Sequence, residues 1–182
     1  MFFYCLFTSE TFWVAIGSIG TVLAVSIAVR QIMLSRLTAS ADLLLRLEDR
    51  FDDDGFLECR AAAAKAIKNT TKANKGDIED VFDFFETIGI LVRKRALDKE
   101  LVWSSFFYWL HGYYLFGKKF LDEQRKNFPA RYDEFVWLHN KLLKIEHSKR
   151  PSPESEWDMF LDEEAGLIPS PGKIKKRPHV SD

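Results

Sequence analysis

The chain's first extended pattern is an uncharged run, TFWVAIGSIGTVLAVSIAV, from Thr11 to Val29, with Glu10 before it and Arg30 after it. At about 1.5 Å of rise per residue, a helix of this length reaches roughly 28 Å, close to the ~30 Å hydrocarbon core of a bilayer. The pattern predicts a transmembrane helix with a juxtamembrane extension over 11–34, preceded by a short external segment over 1–10. Two alternatives fit less well. Buried helices of soluble cores rarely lack charge for so long. A cleaved secretory signal wants a basic leading region, and MFFYCLFTSE has no Lys or Arg.

Beyond Arg30 the period changes to that of amphipathic helices. Leu44, Leu47 and Phe51 form one stripe over about 40–52. Asp52-Asp53-Asp54-Gly55 interrupts it, and these acids suit the start of a helix over 56–68, FLECRAAAAKAIK, rich in alanine. An EF-hand loop there would need acids at Arg50 and Ala61. Asp77 is the expected N-cap of the next helix, whose apolar face is Val81, Phe82, Phe85, Ile88 and Val92. Arg93, Lys94 and Arg95 complement the dipole at its end.

After a short turn, Asp98 is expected to cap an antiparallel helix over 99–126. Its LVWSSFFYWLHGYYLFG run is apolar on most sides, which fits the centre of a bundle or lipid. Ser104, Ser105, His111 and the tyrosines make it a poor span, and a second crossing would export Lys118, Lys119, Arg125 and Lys126. Pro129 is placed in the first turn of a last helix, which runs to about Ser148 and buries Tyr132, Phe135, Leu138 or His139, Leu142 and Ile145. From Arg150 onward lie five of the six prolines. Residues 150–182 are therefore expected to form a largely disordered tail. Ser155-Glu156-Trp157-Asp158 resembles a capping box before Met159, Phe160 and Leu161, the start of a short docking helix. Lys173, Lys175, Lys176 and Arg177 form a basic cluster suited to anionic lipid. For both islands a solvated tail is the favoured reading.

The fold class is thus all-α, an N-terminal transmembrane helix followed by a bundle of about four to five helices over 35–149 and a disordered tail. Arg30, Arg36, Arg46 and Arg50 all follow the span, so the positive-inside rule puts the N-terminus outside and the bundle in the cytoplasm. Lys plus Arg (26) nearly balances Asp plus Glu (27), and no nucleic-acid partner is expected. Cys5 and Cys59 fall on opposite sides of the bilayer in this topology, which leaves Cys59 a reduced thiol.

Candidate chemistry is sparse. Gly20, Ala24 and Ala28 are spaced by four, with Gly17 adjoining, a face on which two spans pack closely; homodimerisation through it is one expectation. Glu79, Asp83 and Glu86 share a helix face that a cation would suit, though a solvated acidic face is favoured. The Glu-x-x-His pairs of di-iron bundles are absent, because Tyr108, Val136 and Lys144 stand three before His111, His139 and His147. No zinc motif, phosphate loop or nucleophile elbow occurs. No cofactor and no catalytic residue is assigned. The expected partners are the lipid bilayer, a second copy through the membrane helix, and an unidentified cytoplasmic protein. The rivals are a metal-dependent hydrolase on the acidic face and a membrane-perturbing effector in phage defence.

The order of an N-terminal span, ADLLLRLEDRF, DIEDVFDFFETIGILVRKRALDKELVWSSFFYWL and a final basic-aromatic helix resembles a bacterial family catalogued only as domain of unknown function number 4760. The likeness covers most of Thr11 to Lys149, and Asp77–Leu110 is its most specific part. It implies a small membrane-anchored helical protein of bacteria or their phages, in the bacterial inner membrane, and transfers no catalytic residue.

Overall fold

A computed structural model describes residues 10–69, 75–149, 157 and 159–167. Its elements are six α-helices among the described residues: α1 Glu10–Phe51, α2 Asp54–Asn69, α3 Lys75–Arg93, α4 Lys99–Asn127, α5 Asp133–Lys149 and α6 Phe160–Ala165. The all-α class and the long apolar N-terminal helix are as the sequence pattern predicts. Two compact units are distinguished, residues 1–42 and 43–182.

In the first unit, α1 exposes Val14, Val22, Leu23, Val25, Ile27, Ile32, Met33, Leu34 and Leu37. The hydroxyls of Ser18, Ser26 and Thr38 each donate to the carbonyl one turn back, on Val14, Val22 and Leu34, at 2.8, 2.8 and 3.1 Å. These three hydroxyls are thus satisfied within the helix. The helix runs unbroken from the apolar run into the Leu44, Leu47 and Phe51 stripe, because nothing between Arg30 and Phe51 breaks helical propensity.

The second unit is built on aromatic rings. Phe51, at the end of α1, lies 5.2–6.0 Å from the rings of Phe56, Phe84, Phe85, Phe106 and Trp109. Phe82 does the same for the other end, against Phe120, Tyr132 and Phe135 at 4.9–5.6 Å. Phe82 meets Phe120 while Phe85 meets Tyr113, so α3 and α4 run antiparallel. Asp98 caps α4 as expected, Oδ1 accepting from the backbone N–H of Glu100 at 2.7 Å and of Leu101 at 3.3 Å.

Two boundaries differ from the sequence reading. α3 begins at Lys75, which places Asp77 inside the first turn, where its charge still meets the dipole. α5 begins at Asp133, so Pro129 lies in the preceding turn. Tyr132 takes a left-handed φ of 62° there, and the Glu86 carboxylate accepts from the Phe135 N–H at 2.6 Å. A carboxylate from another helix, invisible to local pattern, caps α5.

The helices α3 and α5 approach closely at Gly89. A Cβ built there would sit 2.5 Å from the Glu134 carbonyl oxygen and 2.8 Å from its carbon. Backbone cannot swing aside as a side-chain tip can, so Gly89→Ala is expected to destabilise by about 1–3 kcal/mol despite alanine's better helix propensity. Urea unfolding of the two forms checks the sign.

Candidate functional site

The C-terminal region contains a docked element. Trp157 is nearly buried, and Phe160 and Glu164 on α6 are buried almost completely. This departs from the solvated tail favoured by composition; the proline-rich flanks 150–156 and 168–182, with Ser155, Glu156 and the basic cluster, lie outside the described residues. α6 begins after Met159 with no side-chain cap. A helix of six residues is too short to hold itself in water. Its order comes from what it touches.

The centre of that contact is Arg60 on α2. Its guanidinium grips Glu164 in two places, Nε to Oε2 at 3.0 Å and Nη2 to Oε1 at 2.6 Å, with both side chains buried. Nη1 donates to the Phe51 carbonyl at 3.2 Å, and the guanidinium carbon stands 3.8 Å over the Phe51 ring. The Tyr113 hydroxyl of α4 donates to Glu164 Oε2 at 2.7 Å and also lies 3.1 Å from the Arg60 carbonyl. Burial, then the Glu164 charge, raises the Tyr113 hydroxyl well above its ordinary range, so it stays a donor. In the sequence Arg60 is one residue of the alanine-rich helix over 56–68, with no role assigned to it. The readable signal was an arginine one turn after Phe56 and one turn before Ala63 and Ala64 on a buried stripe, since a buried guanidinium requires a carboxylate.

Phe160, one turn before Glu164, enters a notch at Gly112. A Cβ on Gly112 would lie 2.5 Å from the Phe160 ring. Only glycine leaves room there. Tyr113 and Phe116 flank the ring at 5.3 and 5.9 Å. At the rim, Tyr108 donates to Glu163 at 2.8 Å and Lys68 pairs with Asp162.

Trp157 covers a histidine pair. The ring of His111 lies 4.6 Å from Trp157 and 5.0 Å from His139, and His111 Nδ1 and His139 Nε2 are 2.9 Å apart. Such a distance requires one proton between them, and so at least one neutral ring. Tyr114 stacks on His139 at 3.7 Å. The pattern left Leu138 and His139 as alternatives, and both are buried. Burial and then the proximity of His111 lower His139 to about 4; burial lowers His111 as well, against the pull of Glu146. In the unfolded chain both titrate near 6.5. Below that value the unfolded state binds more protons, so stability is full above pH 6.5 and is lost as pH falls toward 4. For His139 the interval from 6.5 to about 4 corresponds to about 3 kcal/mol. Urea midpoints at pH 7.5 and pH 5 are expected to fall for the wild type and to change much less for His139→Phe.

Two of the three acids of the candidate face, Glu79 and Glu86, have other partners. Glu79 accepts from Gln124 and pairs with Arg131, both at 3.2 Å, and Glu86 caps α5. Burial raises both Asp83 and Glu86, with Arg131 drawing Asp83 back down. Asp83 lines a cleft of about 800 Å³ with Asp49, Asp53 and Asp80, which Glu79 and Glu86 do not line. Among the described residues no three His, Cys, Asp or Glu side chains converge as metal ligands. The Cys59 thiol, at the same cleft, is pushed up to about 12 by burial and then by Asp80 and Asp77. It is a poor nucleophile at neutral pH. On α1, Gly20, Ala24 and Ala28 are exposed, with nothing within 4 Å of a Cβ on Gly20; the surroundings of Gly17 lie outside the described residues.

An apolar N-terminal helix and an aromatic helical core, with the short helix α6 packed against α2 and α4, define an all-α protein. The family model described as a domain of unknown function (DUF4760) matches residues 12–142, and the chain belongs to that family. No curated protein matches the chain, and no solved structure does.

Proposed function

We propose that the protein is a single-pass, membrane-anchored helical module that acts by associating with other proteins, including copies of itself. The observation that carries this reading is α1. It is long and apolar enough to cross a bilayer, none of its most apolar window is buried, and the hydroxyls of Ser18, Ser26 and Thr38 are satisfied on its own backbone. Such a surface is costly in water and comfortable in hydrocarbon. The basic residues that follow the span favour an external N-terminus and a cytoplasmic bundle, at a bacterial inner membrane. The Gly20, Ala24 and Ala28 face, with Gly17 adjoining, suits a homodimer in the bilayer.

Fractionation tests the anchor. Full-length protein is expected in the membrane pellet after alkaline carbonate washing and in the supernatant only with detergent. Recovery of folded protein in the soluble fraction without detergent defeats the reading.

A further inference from the structure

We propose that the groove between α2 and α4 is an exchangeable docking site, filled in trans by the Trp157 and Phe160–Ala165 segment of a second copy of this chain. The inference rests on the reading of the protein as an association module and names the surface and the partner.

The segment meets the bundle as a bound peptide meets its receptor. Phe160 and Glu164, four apart on α6, lie on one face of it, and Trp157, which precedes the helix, is buried against α4 as a second aromatic anchor. Phe160 fills the Gly112 notch, Glu164 forks onto Arg60, and Trp157 caps the histidine pair. Around them runs a polar rim, Lys68 with Asp162 and Tyr108 with Glu163. Buried aromatic and arginine hot spots inside a polar rim are the anatomy of an interface. The occupant itself is six helical residues with no side-chain cap. Its fold is borrowed from the groove.

Groove and occupant are also separable along the sequence. Arg60, Gly112 and Tyr113 lie inside the family match at 12–142, whereas Trp157, Phe160 and Glu164 lie outside it. Every copy carries a peptide that already fits, and anchoring confines copies to one surface, which raises their mutual concentration. Exchanging an identical element between copies preserves every contact and is a low-cost route to a dimer.

The test uses the full chain in detergent, so that it does not depend on the anchor. In one form Phe160→Ala/Glu164→Ala disables the segment and leaves the groove walls intact. In a second form Gly112→Leu blocks the notch and leaves the segment intact. A fluorescent peptide of residues 155–167 is expected to bind the segment-disabled chain saturably, at least tenfold more tightly than the wild type, whose own segment competes. The peptide carrying Glu164→Lys is expected not to bind. Mixing the two forms, with a donor dye on the intact segment and an acceptor beside the intact groove, is expected to give energy transfer that excess unlabelled peptide abolishes. A dimer held only through α1 would resist that competition.

Failure of the helical, segment-disabled chain to bind the peptide overturns the proposal. So does its failure to fold, since an exchangeable occupant requires a bundle that stands without it. Peptide binding without energy transfer in the mixture also overturns the second copy as the occupant. Loss of membrane retention in fractionation, with peptide exchange intact, would remove the anchor and leave the groove.

Discussion

Arg60→Ala is expected to lower the stability of the bundle by about 3–5 kcal/mol and to free the Phe160–Ala165 helix from its groove. Removing one member of a buried ion pair leaves the other charge without a partner, and that is the usual size of the loss. Glu164 would not stay buried alone. It would leave with the segment, exposing Gly112, the histidine pair and the flank of Phe160. Arg60 has a second role that Glu164 lacks, because it also donates to the Phe51 carbonyl and covers the Phe51 ring. Arg60→Ala therefore removes packing from the bundle as well as the segment, and Glu164→Ala only the segment. The first is expected to cost more. Urea unfolding gives the two losses, and hydrogen exchange over 160–165 reports release of the segment in both. Equal losses for the two variants would mean that Arg60 does nothing beyond holding Glu164.

This pair also marks how far the sequence could be read. Period 3.6 in Val81, Phe82, Phe85, Ile88 and Val92, and the cap at Asp98, are local signals, and both survive in the structure. The apolar run of α1 is likewise a property of contiguous residues. What was lost is long-range. Glu164 lies 104 residues from Arg60, and nothing near either residue announces the other. Glu86 looked like part of a solvated acidic face because its partner, the Phe135 N–H, is 49 residues away. Composition misled in the tail for a related reason. Prolines at 151 and 153 argue against a helix through them, but they say nothing of Phe160, whose burial depends on a glycine in another helix. His139 was an alternative to Leu138 for a buried position and His111 a polar interruption of an aromatic run, and only packing makes them a pair.

Phe51→Ala is expected to be as damaging as the loss of Arg60, at about 3–5 kcal/mol, the usual range for removing a buried Phe. Five aromatic rings lie within 6.0 Å of Phe51, so a cavity there cannot be closed by one neighbour moving. Phe51→Leu keeps most of the apolar volume and is expected to cost distinctly less. The effect is not independent of Arg60. With the ring gone, the guanidinium loses the face that it covers at 3.8 Å, and with the guanidinium gone the ring loses its lid. The double variant Phe51→Ala/Arg60→Ala should therefore lose less than the two single losses added together, by about 0.5–3 kcal/mol. Additive losses would show that the core of the bundle and the docked segment are energetically separate. A shortfall of the expected size would show that the end of the apolar helix, the aromatic core and the groove are joined through one stacked pair.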